Sequence, residues 1–323
     1  MEHSRPFEKD ERICFIGSST TSNSYWVAAI AEYYATHRND QPVTIIPCGI
    51  AGGGCTSAIT YYQQNVAIHS PTTIVIMLGM NDIHRGLYEG EATDLKREAQ
   101  KKAIERFETN LFALSEQAKV VSRVKRIIYL TSNPYDEEQV CATPCAKGCW
   151  NALLACADIM KKAANEFGGE YYENGIKFYN LLKEVRNLGS NEEFIGSDRV
   201  HPNLLGMSVM ARLFLSAQGF EDMNITARQV IDGEAVINLS DAANRYNEIA
   251  KKIQRRWTSE WIIARESSDG SVKGRIEHCR DYAKNNPDAA LMFINMANEY
   301  EELITSEQDD IEALYMAIKE LYI

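Results

Sequence analysis

The chain has 323 residues, and its 34 Lys and Arg against 45 Asp and Glu leave a net charge of −11. That balance excludes a binder of nucleic-acid backbones, since the longest basic run is Lys251-Lys252-x-x-Arg255-Arg256 on an expected helix. With 45% hydrophobic and 24% charged residues the chain is a packed globular protein, long enough for two domains or one domain with a large extension.

In chain order, Arg12–Ile16 is a short apolar run ending at Gly17. A Ser/Thr-rich cap and an amphipathic stretch to about Arg38 follow it, which reads as strand, turn, helix. The pattern repeats with strands at Val43–Cys48, Thr73–Leu78, Arg126–Thr131 and Glu170–Tyr172. Helices are expected at Thr56–Ile68, Leu95–Lys119, Trp150–Phe167, Ile176–Arg186 and Pro202–Gln218, the last with Pro202 at its first position. Strands alternating with helices imply an α/β fold with a parallel sheet covered on both faces.

The alternation stops near Phe220. From Ser240, a candidate N-cap, the pattern is nearly all helical, and Asn286-Pro287 reads as a further cap and first turn. Residues 1–220 are therefore expected to form one domain and 221–323 a mostly helical extension. Trp257 and Trp261, four apart, read as the buried face of a helix rather than a ligand platform. Their face is expected to pack on the first domain, with contact to a second copy of the chain as the alternative.

In an open parallel sheet, reactive groups collect in loops after the carboxyl ends of the strands. After the first strand comes Gly17-Ser18-Ser19-Thr20-Thr21, after the second Gly49-Ile50-Ala51-Gly52-Gly53-Gly54, and after the third Gly79-Met80-Asn81-Asp82. Asp198-Arg199-Val200-His201-Pro202 precedes the helix near residue 204. Each block taken singly reads as a cap or a turn. Together they supply a hydroxyl nucleophile, two oxyanion donors, an imidazole base and a carboxylate to orient it. The glycine block lacks the GxGxxG order and the Lys-Ser/Thr of phosphate loops, and no GxSxG elbow occurs.

These four ordered blocks resemble the SGNH (GDSL) hydrolase family over about residues 12 to 218. The resemblance implies a flavodoxin-like three-layer sheet and hydrolysis of esters, thioesters or acetylated sugars. It places the nucleophile on Ser19, the acid and base on Asp198 and His201, and the oxyanion donors on Ser19, Gly52 and Asn81. One departure stands out: Ser18 occupies the position of the usual Asp before the nucleophile. Ser19 keeps the GxS offset; Ser18 as nucleophile, or an inactive site, are the alternatives. The expected partner is a small-molecule or glycan ester with a small acyl group such as acetyl. A lipase, thioesterase or acyltransferase of the same family, or a non-catalytic binding protein, are the other readings.

No cofactor is implied. Cys141, Cys145 and Cys149, with Cys156, lack the spacing and the histidine of a metal site and read as partly buried or as one disulfide. Their loop is expected to border the site, with Asn133, Tyr135 and Trp150 as walls, and His84 and Arg85 are candidate substrate contacts. His3, His37, His69 and His278 read as surface or helix-end residues. The acidic stretch Glu307–Asp310 reads as a helix N-terminal charge cluster. No apolar run reaches about 18 residues and the start is charged, so no membrane insertion and a cytoplasmic location are expected. A removed signal peptide would leave no trace in the chain.

Overall fold

The computed structural model describes residues 5–266, 271–287, 290–305 and 307–323; His3 lies outside them. Five parallel strands, β1 (Arg12–Gly17), β2 (Thr44–Gly49), β3 (Thr73–Met77), β4 (Arg126–Leu130) and β5 (Glu170–Tyr172), form one sheet in the order β2-β1-β3-β4-β5. Runs such as Ile13–Ile16, Ile74–Met77 and Ile127–Leu130 are buried throughout, as strands covered on both faces must be.

The helices follow in chain order. α1 (Ser19–Ser22) and α2 (Tyr25–His37) succeed β1, and α3 (Cys55–Thr60) and α4 (Tyr62–Asn65) succeed β2. α5 (Asp94–Gln117) lies between β3 and β4, and α6 (Cys149–Phe167) between β4 and β5. α7 (Asn174–Asn187), α8 (Leu204–Ala217) and the short α9 (Ala227–Ile231) come after the sheet, followed by α10 (Asp241–Glu266), α11 (Val272–Asn285), α12 (Ala290–Thr305) and α13 (Glu307–Glu320).

Several boundaries differ from the sequence reading. The helix expected over residues 56–68 is broken, because Tyr61 leaves helical geometry at φ −102° and the chain ends in a 3-10 turn at Ala67–His69. Pro202 stays outside α8. It bridges to Ile195, and Asn203 caps the helix by accepting the Gly206 amide. Asn286 closes α11 instead of opening α12. His69 does end a helix, the 3-10 turn, but it is not on the surface: it is 2% exposed, bonded to the Tyr315 hydroxyl at 3.0 Å and set beside the Trp257 ring. Burial without a charged partner pushes its pKa down to about 4. Ser240 does cap α10, its hydroxyl accepting the Ala243 amide.

The apolar core runs without interruption from the sheet into Tyr246, Ile253 and Trp257 of α10 and Leu314, Ala317 and Ile318 of α13. Tyr246 donates to the Ile45 carbonyl, and the Tyr322 hydroxyl exchanges hydrogen bonds with Val43. Asp310 anchors α13 to α10 through Lys252 and Arg256. The α11–α12 pair holds a small core of its own around Ile276, Cys279 and Ala297. Among the described residues, no helix is long and apolar enough to cross a membrane.

Candidate active site

The register of the sheet gathers three of the four blocks. Gly17 pairs with Gly49 on one side and Met77 on the other, so the loops after β2, β1 and β3 leave the sheet side by side and at one level. The strand order reverses here, which is where an open parallel sheet leaves a crevice. Gly17 is required by close approach: a Cβ there would lie 2.0 Å from the Thr21 hydroxyl.

Ser19 opens α1 and is half-buried, and its Oγ lies 2.7 Å from His201 Nε2. The other ring nitrogen, Nδ1, is bonded to Asp198 Oδ2, while Asp198 Oδ1 accepts the Val200 and His201 amides at 3.0 Å each. Partial burial would raise the Asp198 carboxyl, but the bonds from the His201 ring and these amides outweigh it and hold it below the ordinary carboxylate range. Ser18 is buried, its carbonyl accepting the Ser22 amide. The hydroxyl brought to the imidazole is that of Ser19.

Gly52 has φ +72° at the third position of a turn closed by the Gly53 amide on the Ile50 carbonyl, a conformation that favours glycine. Asn81 Nδ2 donates to the Gly53 carbonyl at 2.7 Å, fixing the amide against the glycine loop. Asp82 staples the same loops by accepting the Cys55 amide at 2.8 Å and the Gly79 amide at 3.0 Å. Burial raises its pKa, partly offset by those two donors. A Cβ on Gly54 would stand 2.5 Å from this carboxylate.

Arg199, between the acid and the imidazole, takes φ +66° and is 5% exposed. Its guanidinium donates to the carbonyls of Thr143, Asp136 and Gln139, and its own carbonyl accepts the Asp136 amide. The Asp136 carboxylate in turn pairs with Arg186. Asn133 is buried and donates to the Val200 carbonyl at 2.7 Å; Tyr135 is buried, its hydroxyl taking the Ala146 amide. The expectation that Asn133, Tyr135 and Trp150 wall the site is corrected: the first two are buried with their polar atoms bonded within the protein, and Trp150 packs against the Tyr179 ring at a tilt. All eight cysteines are free thiols, with Cys149 and Cys156 buried. Among the described residues, no three His, Cys, Asp or Glu side chains form a candidate metal site.

A cleft of about 610 Å³ opens at Gly52 and Asn81 and runs between α3 and α5, with Tyr61, His84, Arg106 and Trp261 in its lining. His84, at φ +54°, also borders a shallower depression with Arg85. Sequence reasoning missed the part α10 plays. Gln254 accepts the Gly49 amide at 2.7 Å and donates to Ser24, and Thr258 accepts the Ala51 amide at 2.9 Å. Trp261 lies against Gly52, 3.6 Å from where a Cβ would be. The spacing of 254, 258 and 261 is one helical face, which was the available signal.

The family model for GDSL-like lipase/acylhydrolases matches residues 13–214, well over half the chain. The chain belongs to the GDSL-like lipase/acylhydrolase family. It is thus an ester hydrolase. This acylhydrolase is 23% identical over 227 residues to an acetylxylan esterase of Geobacillus stearothermophilus, an alignment covering 65% of the chain and 95% of the relative. A solved structure of that esterase matches at TM-score 0.52 and 22% identity, covering 66% of this acylhydrolase and 96% of the other chain. A gut microbial diltiazem-metabolizing enzyme matches at TM-score 0.80 and 16% identity over 99% of this chain and 96% of its own, so that its fold includes the C-terminal helices.

Proposed function

We propose that the protein removes a small acyl group, acetyl in the first instance, from a carbohydrate ester through an acyl-Ser19 intermediate. The observation carrying this is the 2.7 Å approach of Ser19 Oγ to His201 Nε2, with Asp198 on the other ring nitrogen. As Ser19 Oγ bonds to the ester carbon, His201 takes the hydroxyl proton, and Asp198, held ionised, stabilises the imidazolium. The oxyanion is received by the Ser19 and Gly52 amides and by the second N–H of Asn81. Collapse breaks the bond to the alcohol, which leaves with the proton from His201. Water then adds to the acyl carbon, gives its proton to His201, and Ser19 departs with that proton, freeing the acid.

Two facts about the relatives support this reading. The Geobacillus relative is an acetylxylan esterase, and its structures described as catalytic mutants replace a serine, an aspartate or a histidine by alanine. The test is labelling by an organophosphonate, mapped by peptide mass, alongside hydrolysis of an acetylated-sugar panel. Stoichiometric label on Ser19 of the folded protein, and loss of acetate release in Ser19→Ala, are expected. Wild-type turnover in Ser19→Ala would overturn the assignment.

A further inference from the structure

The cleft that starts at Gly52 and Asn81 is much larger than an acetyl group needs and is of the size that holds a drug-sized ligand. Its walls come from three separate elements. α3 contributes Thr56, Ser57 and Thr60, α5 contributes Arg106 and Asn110, and α10, which lies outside the span matched by the family model, contributes Trp261. Asn110 donates to Thr56 and Ser57 to the Gly54 carbonyl, so these groups are already oriented. The guanidinium of Arg106, exposed at the rim, adds a charged donor. Beside Gly52, the indole of Trp261 puts an aromatic surface next to the point where an ester carbonyl would be bound.

We propose that this cleft is the subsite for the alcohol portion of the substrate, and that Trp261 makes it selective for an alcohol built on a six-membered ring carrying acceptor oxygens. The proposal rests on the small-acyl reading above, which leaves the alcohol as the large part of the ester. A pyranose and an aromatic ring share the required chemistry: a face that stacks on indole, and edge oxygens that meet Arg106 and the threonine hydroxyls. Through Trp261, the helical extension sets which esters the Ser19 site accepts.

The test compares kcat/KM for three acetates, those of ethanol, phenol and methyl xylopyranoside, and for ethyl esters of increasing acyl length, in wild type, Trp261→Ala and Trp261→Tyr. In Trp261→Ala the ratio of ring acetate to ethyl acetate is expected to fall roughly tenfold, mainly through KM, and Trp261→Tyr to restore most of it. A fall for the xyloside alone identifies the sugar, and a fall for both rings identifies ring stacking in general. An unchanged ratio, with all substrates slowed alike, would make Trp261 a support for Gly52 and overturn the proposal. A fall along the acyl series alone would also overturn it.

A measurement independent of turnover is saturable quenching of tryptophan fluorescence by methyl xylopyranoside or benzyl alcohol. It is expected in wild type and lost in Trp261→Tyr loaded with the same probe. Quenching by neither probe in wild type, or undiminished quenching in the variant, would count against the subsite whatever the nucleophile. Failure of the Ser19 assignment shows separately, as turnover surviving Ser19→Ala.

Discussion

Arg199 donates from its guanidinium to the Gln139 carbonyl at 2.7 Å, tying the segment that carries Asp198 and His201 to the loop after β4. Two more carbonyls, of Asp136 and Thr143, depend on the same side chain. Arg199→Met would leave three acceptors without their donor in a buried setting, at a cost of about 1–3 kcal/mol. Turnover should drop by ~10- to 100-fold with little change in KM, because the imidazole would lose its placement. Steady-state kinetics and a thermal melt check both, and Arg199→Lys should recover only part of the loss, lacking the planar fork.

Asn81 lies where its amide can serve the oxyanion while holding Gly53. Asn81→Ala should lower kcat by about 100- to 1000-fold, with a residual rate and KM nearly unchanged. Gly54→Ala should mimic part of this at a distance, since the new Cβ meets Asp82, whose carboxylate holds the Gly79 and Cys55 amides. A Gly54→Ala enzyme as fast as wild type would show that the staple is dispensable.

Gln254 and Thr258 accept the Gly49 and Ala51 amides of the glycine loop. Thr258→Val keeps the shape and removes that acceptor, so about 1 kcal/mol of stability and a several-fold loss of kcat are expected. Gln254→Leu, fully buried, should cost more than Thr258→Val. Denaturant unfolding and acetate-release rates measured on both variants give the order.

Stability should weaken with acid through His69. Its folded pKa is about 4 against an ordinary value of 6.5. Above pH ~6.5 both folded and unfolded forms are neutral there and the full stability is present; between the two values only the unfolded chain binds the proton, so stability declines as pH falls. The shift corresponds to roughly 3 kcal/mol at most. His69→Gln should flatten that part of the pH–stability curve relative to wild type, and parallel curves would sink the idea.

Much of this was readable in the sequence for a plain reason. Short apolar runs such as Cys14-Phe15-Ile16 and Ile74-Val75-Ile76 can only be buried strands, and Ser19, Gly52 and Asn81 follow them at offsets that the in-register sheet preserves. What escaped reading was polar chemistry turned inward. Gln254 and Thr258 look like a helix's wet side; their spacing puts them on one face with Trp261, but that they accept backbone amides about two hundred positions earlier is not written in the spacing. The same inward turn misled the reading of Asn133 and Tyr135, which are buried, Asn133 bonded to the Thr20 hydroxyl and the Val200 carbonyl and Tyr135 to the Ala146 amide. Trp257 and Trp261 share a helical face, but only the first is fully buried, because the second lines the cleft beside Gly52.

The bond from Gly49 to Gln254 spans 205 positions of chain, and that from Val43 to Tyr322 spans 279. A nascent polypeptide whose first 220 residues have left the ribosome therefore has Ser19 and Asn81 but lacks the acceptors that fix the glycine loop between them. Esterase competence should emerge late in synthesis, once α10 has cleared the exit tunnel and docked.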